Sequence, residues 1–105
     1  MNADHGGFQV RSLDAAITFY TEKLGFHLDF RAVNEAEQEA YAFVLLGMAR
    51  LELIQDLVHD YVIPPVKKAI FPHYCLEVSD LARAITDLNA NGIPVVKGPL
   101  LIENE

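Results

Sequence analysis

Two histidines and one glutamate carry the chemistry that this sequence offers most openly. His5 and His73 stand 68 residues apart, and Glu52 lies between them, flanked by Leu51 and Leu53. Two imidazoles and a carboxylate suit a divalent transition ion such as Zn²⁺, Ni²⁺, Fe²⁺ or Mn²⁺. A site of that kind forms only if the elements carrying the three side chains turn them to one face. The other candidates read more plainly: Cys75 as a small packed residue with no dedicated base, His27 and His59 as solvated, Phe19 and Tyr20 as core.

The elements follow from an internal repeat. Sliding the chain by 68 residues lays His5-Gly-Gly-Phe-Gln-Val-Arg-Ser-Leu-Asp-Ala-Ala-Ile-Thr-Phe-Tyr20 over His73-Tyr-Cys-Leu-Glu-Val-Ser-Asp-Leu-Ala-Arg-Ala-Ile-Thr-Asp-Leu88, with six of 16 pairs identical. Both copies have the pattern of a strand followed by a helix. In the first, Phe8 and Val10 alternate with Gly7 and Gln9. Ser12 is placed to cap a helix, and Leu13, Ala16, Ile17, Tyr20 and Leu24 form one apolar stripe that Gly25 ends. In the second, Leu76 and Val78 lead to Asp80 as cap. Leu81, Ala84, Ile85 and Leu88 then make the stripe, and Asn91-Gly92 ends it.

Between the copies the pattern is that of strands. Phe26, Leu28, Phe30 and Ala32 alternate with His27, Asp29 and Arg31, and the acidic stretch 34–39 is a solvated turn. Tyr41–Leu46 is a further strand, Gly47-Met48 a tight turn, and Ala49, Leu51 and Leu53 alternate with Arg50, Glu52 and Ile54. This predicts an α+β fold of paired βαβββ modules. Residues 1–56 form the first module, 57–71 a linker containing Pro64-Pro65 and Lys67-Lys68, and 72–105 an incomplete second module with one further strand from Ile93 to about Ile102. Period-two alternation places His5, Gly7 and Gln9 on the face away from the helices, with Glu52 and with His73, Cys75 and Glu77. His5, Glu52 and His73 can therefore converge there.

Composition excludes several other classes. At 105 residues and 51% apolar, the chain is a single globular domain. Its formal charge of −7 disfavours a phosphate backbone as partner, so nucleic-acid binding is not expected. The longest apolar run, Tyr41–Leu46, falls far short of a spanning helix. Met1–His5 lacks the basic start and apolar stretch of a signal peptide, and a single cysteine fits a reducing cytoplasm.

The stretches His5-Gly-Gly-Phe-Gln-Val10, Leu13-Asp-Ala-Ala-Ile-Thr-Phe-Tyr-Thr-Glu-Lys-Leu-Gly-Phe26, Leu51-Glu-Leu53 and His73-Tyr-Cys-Leu-Glu-Val-Ser-Asp-Leu81 resemble the vicinal oxygen chelate superfamily, also called the glyoxalase/bleomycin-resistance/dioxygenase group. The resemblance implies a cupped mixed sheet around a divalent metal, with Zn²⁺ or Ni²⁺ the expected ion. It implies His5, Glu52 and His73 as ligands, a homodimer, and a small-molecule substrate. Within the group the His–Glu–His pattern is most similar to glyoxalase I, lactoylglutathione lyase. The implied reaction is proton transfer in a hemithioacetal through an enediolate. The resemblance assigns the base mainly to a glutamate on the eighth strand, and Glu52, on the right strand and face, is a ligand and a candidate base. The family's fourth ligand, a glutamate on the eighth strand, would lie one repeat offset beyond Glu52 and past Glu105. The sequence as given is therefore expected to lack part of the catalytic set. Gln9 stands where glyoxalase I has an arginine that holds a glutathione carboxylate, which makes Gln9 a candidate substrate-binding residue and argues against glutathione as the thiol.

Other readings share parts of this pattern. A methylmalonyl-CoA epimerase-like enzyme would have Gln in place of Glu52. A metal-free binding protein of the bleomycin-resistance kind would lack the histidine pair. A ferredoxin-like βαββαβ domain would have two strands between its helices, whereas four are counted here from Phe26 to Val78.

Overall fold

The computed structural model describes residues 1–62 and 73–99, and the chain divides into two compact units, Met1–Pro65 and Val66–Glu105. The first unit is built on a four-stranded mixed sheet. Strand β1 (Gly6–Gln9) is followed by helix α1 (Leu13–Thr18), and then by β2 (His27–Asn34), β3 (Glu39–Leu46) and β4 (Ala49–Asp56). The spatial order is β1-β4-β3-β2; β1 runs parallel to β4, and the other two pairs are antiparallel. A parallel pair needs a crossover, and α1 with the β2–β3 hairpin supplies it.

Local chemistry sets the helix. The Ser12 hydroxyl accepts a hydrogen bond from the Ala15 amide at 3.2 Å, satisfying one of the free donors of the first turn. The Leu13 amide, at the first helical position, donates to Gln55 Oε1 at 2.7 Å across 42 residues, so β4 helps to cap α1. The expected helix to Leu24 is interrupted: from Phe19 to Lys23 the chain opens into a π-helical turn. The Thr21 hydroxyl bonds the Ile17 carbonyl at 2.8 Å, and the Phe26 amide bonds the Tyr20 carbonyl at 2.9 Å. The wider turn keeps Tyr20 and Leu24 against the core but leaves Phe19 39% exposed, which corrects the placement of Phe19 in the core. Gly25, at φ 78°, adopts the left-handed geometry expected of a helix end.

The core lies between α1 and one sheet face. Leu13, Phe26, Ala40, Ala42, Val44, Leu51 and Leu53 form it, with Phe8, Val10, Ala16, Ile17, Tyr20, Leu24 and Leu46 packed around them. Register explains the selection, because Ala42 pairs with Leu53 and Val44 with Leu51, whereas Phe43 pairs with Glu52 on the opposite face. The alternation expected in β2 does not hold throughout. The register shifts between Leu28 and Phe30, so Leu28 pairs with Val44 but Phe30 with Phe43. Such a bulge inverts the phase of the strand beyond it. Phe30 is thereby turned to the face away from α1, and Arg31 to the helix side, where it binds Asp14 at 2.7 Å.

In the second unit the helix α2 (Leu81–Ala90) forms as expected, with the Asp80 carboxylate accepting from the Arg83 amide at 3.0 Å and Gly92 at φ 79° after its end. No α2 residue is buried. The strand expected around Leu76 and Val78 is not formed, and residues 93–99 are likewise not in a strand. A strand needs a neighbour to take its N–H and C=O groups, and alternation alone does not provide one. Cys75 is exposed, not packed. Of the linker, Pro64-Pro65 and Lys67-Lys68 lie outside the described residues, as does the end of the expected strand from 100 to 102. Among the described residues no helix is long and apolar enough to cross a membrane.

Candidate metal centre

The sheet face away from α1 carries the candidate site. His5 immediately precedes β1, and its parity with Gly7 and Gln9 turns it to this face. Glu52 comes from the middle of β4, beside Gly7 in the register. The absence of a side chain at Gly7 leaves room above β1: a Cβ there would stand 3.7 Å from Glu52 Oε1. His5 Nε2 lies 3.4 Å from Glu52 Oε1, with the two side chains 33% and 23% exposed.

The other imidazole nitrogen is also engaged. His5 Nδ1 is 2.7 Å from Asp4 Oδ2, and the edge of the ring meets Phe43 with centroids 4.9 Å apart. Arg50 donates to the same Asp4 oxygen at 2.7 Å, and its guanidinium sits 4.1 Å over the Phe43 ring. The hydrogen bond with His5, and after it the positive charge of Arg50, hold the Asp4 carboxyl below the usual aspartate range. Sequence reasoning missed Asp4 and Arg50. Their meeting joins positions 46 residues apart, and no spacing in the sequence signals it.

These donors suit a divalent ion. Two metal–ligand bonds of about 2.1 Å, at tetrahedral or octahedral angles, place their donor atoms about 3.0–3.4 Å apart, and His5 Nε2 and Glu52 Oε1 stand at 3.4 Å. With Nδ1 occupied by Asp4, Nε2 is the nitrogen left to bind. His73 belongs to the second unit, in the exposed segment that leads into α2. Among the described residues no group of three His, Cys, Asp or Glu side chains is arranged to hold a metal ion.

A groove of about 600 Å³ opens beside this pair, lined by His5, Val33, Asn34, Glu35, Glu39, Tyr41, Phe43 and Glu52. Phe30 stands next to it, with its centroid 5.2 Å from that of Phe43 and 6.1 Å from that of Tyr41. Among the described residues the lining offers ring surface and carboxylates, with no lysine or arginine. Gln9 lies farther along the same face and borders a separate hollow of about 220 Å³ with Glu39, Ile54 and Asp56.

Residues 2–100 match the sequence profile of the Glyoxalase/Bleomycin resistance protein/Dioxygenase superfamily. No curated protein sequence matches closely. Among solved structures, a glyoxalase family protein from Bacillus cereus is 24% identical, with a TM-score of 0.74 over 99% of this chain and 80% of its own. The trypanothione-dependent glyoxalase I of Leishmania major is 19% identical, with a TM-score of 0.75 over 93% of this chain and 72% of its own. A glyoxalase family protein from Enterococcus faecalis is 21% identical, with a TM-score of 0.72 over 87% and 72%. At these identities the likeness is one of fold.

Proposed function

The chain belongs to the glyoxalase/bleomycin resistance protein/dioxygenase superfamily, and on that premise we propose that it is a metal-dependent lyase or isomerase of the glyoxalase I type, acting on a hemithioacetal or a similar small substrate with two neighbouring oxygens. The observation that carries this reading is the approach of His5 Nε2 to Glu52 Oε1 at 3.4 Å on the open face of the sheet. His5 and Glu52 would hold the ion, Zn²⁺ or Ni²⁺, with His73 as the third ligand. When bound, such an ion supplies Lewis-acid stabilisation of negative charge growing on the substrate oxygens.

The chain's own residues would do the rest. Glu52 lines the groove and would take a proton from a substrate carbon beside a carbonyl and return it to the neighbouring carbon. The rings of Tyr41, Phe43 and Phe30 would shield an apolar part of the substrate from water. Glu35 and Glu39 at the rim disfavour a thiol rich in carboxylates. Gln9 would offer an amide in place of a cation to whatever extends past Ile54. A homodimer is part of the proposal, and sedimentation at micromolar concentration tests it: a strictly monomeric profile would remove it.

Calorimetric titration with Zn²⁺ and Ni²⁺ tests the metal reading. One ion should bind per chain, and His5→Ala, Glu52→Gln and His73→Ala should each weaken uptake by at least tenfold. Equal uptake by wild type and His73→Ala would remove His73 from the ligand set. Equal uptake by all four proteins would end the metal-dependent account.

A further inference from the structure

Asp4 is an exposed residue that makes two short polar contacts, one to His5 Nδ1 and one to Arg50, each at 2.7 Å. A carboxylate can only accept, so the contact with His5 places a proton on Nδ1. Nε2 stands 3.4 Å from Glu52, beyond the usual range for an N–H···O bond. The two flanking carboxylates therefore act on the ring unequally, with Asp4 holding the proton and Glu52 facing the other nitrogen. Arg50 fixes Asp4 in turn, being itself seated on the Phe43 ring that also packs against the His5 edge. Arg50 also approaches Asp29 Oδ2 at 3.9 Å, so it is held from the β2 side as well.

From this geometry we propose that Asp4 is a positioning residue: clamped by Arg50, it sets His5 as the Nδ1–H tautomer and turns Nε2 toward Glu52. The purpose of that orientation rests on the metal reading above, but the tautomer itself does not, and the two can fail separately. Carboxylates that hold the distal N–H of a metal-binding imidazole typically change metal affinity by about 10- to 100-fold. The expectation for Asp4 is the lower part of that range, because its side chain is 69% exposed.

The test is nitrogen-15 NMR of the metal-free protein, recorded over a pH series and read on the spectra whose nitrogen shifts report a neutral His5 ring. Wild-type His5 should show a protonated Nδ1 and an unprotonated Nε2. Asp4→Ala should lose that preference, Asp4→Asn should restore it in part through its amide oxygen, and Arg50→Met should weaken it. Asp14→Ala, which removes another exposed carboxylate, on α1, should leave His5 unchanged and so separates contact from overall charge. In parallel, Zn²⁺ affinity should fall about tenfold in Asp4→Ala. An Nε2–H tautomer in the wild type, or an unaltered tautomer in Asp4→Ala, would overturn the proposal. A wild type that keeps the Nδ1–H tautomer yet binds no metal would support the positioning role and refute the metal reading alone.

Discussion

Replacing Gln55 by methionine should unfasten α1 while leaving the core filled. Gln55 Oε1 accepts from the Leu13 amide at 2.7 Å, and Leu13 is 1% exposed, so water has little access to the freed donor. Methionine has similar length and no comparable acceptor, so the loss is that of one buried N–H left unpaired, about 1–3 kcal/mol. Partial fraying of the first turn would let water reach the amide, which favours the lower end, about 1–2 kcal/mol. Amide exchange of Ala16 and Ile17 should then quicken roughly 5- to 30-fold. In urea, with a slope of about 1–2 kcal/mol/M for a unit this small, the midpoint should drop by about 1 M. Gln55→Glu keeps an oxygen in place and adds negative charge at a helix N-terminus, so near neutral pH it should match or exceed the wild type. If Gln55→Met exchanges like the wild type, the helix is held by packing and the bond from β4 contributes nothing of consequence.

Other perturbations follow from the same contacts. Leu53→Ala empties a fully enclosed position on β4 and should cost about 2–5 kcal/mol, read from the urea midpoint; a loss below about 1 kcal/mol would mean that the sheet and helix close over the gap. Gly25→Ala places a side chain at φ 78° and should destabilise by about 1 kcal/mol by thermal melting, although open space surrounds the position; a neutral effect would show that another residue tolerates this turn. The Asp56 carboxyl is held below its ordinary value, first by the His59 amide and then by the Val58 amide. Its contribution to stability is therefore complete above the unfolded pKa of about 3.9 and is lost as pH falls through the lower folded value. The amide shifts of Val58 and His59 should titrate together with a midpoint below 3.9, and a midpoint at or above it would contradict the turn geometry.

Much of the framework was legible in the residues because its causes are local. Ser12 and Asp80 are short acceptors ahead of apolar stripes, and both cap as expected. Gly25 and Gly47 sit at positive φ where the alternation breaks, at a helix end and between two strands. His5 and Glu52 could be assigned to one face because parity along β1 and β4 is uninterrupted. Legibility ended where a long-range contact or a change of phase decides. The bulge between Leu28 and Phe30 could not be read from alternation, which assumes an unbroken ladder. Gln55 looks like a polar residue on the wrong side of a strand until α1 is placed over it. Leu76 and Val78 have a strand's pattern but no ladder among the described residues, because pattern gives a face and pairing must come from another segment.

That same bulge has an implication for how a hollow of this kind changes its taste. Beyond it, Phe30 looks into the cup and Arg31 looks out, and with regular pairing the two would trade places. An insertion or deletion of one amino acid in an outer strand could thus exchange a benzyl group for a guanidinium along the wall, with no alteration to the ladder between β3 and β4. Diversification by length, at the rim, would leave the His5–Glu52 pair and the strands that carry it intact.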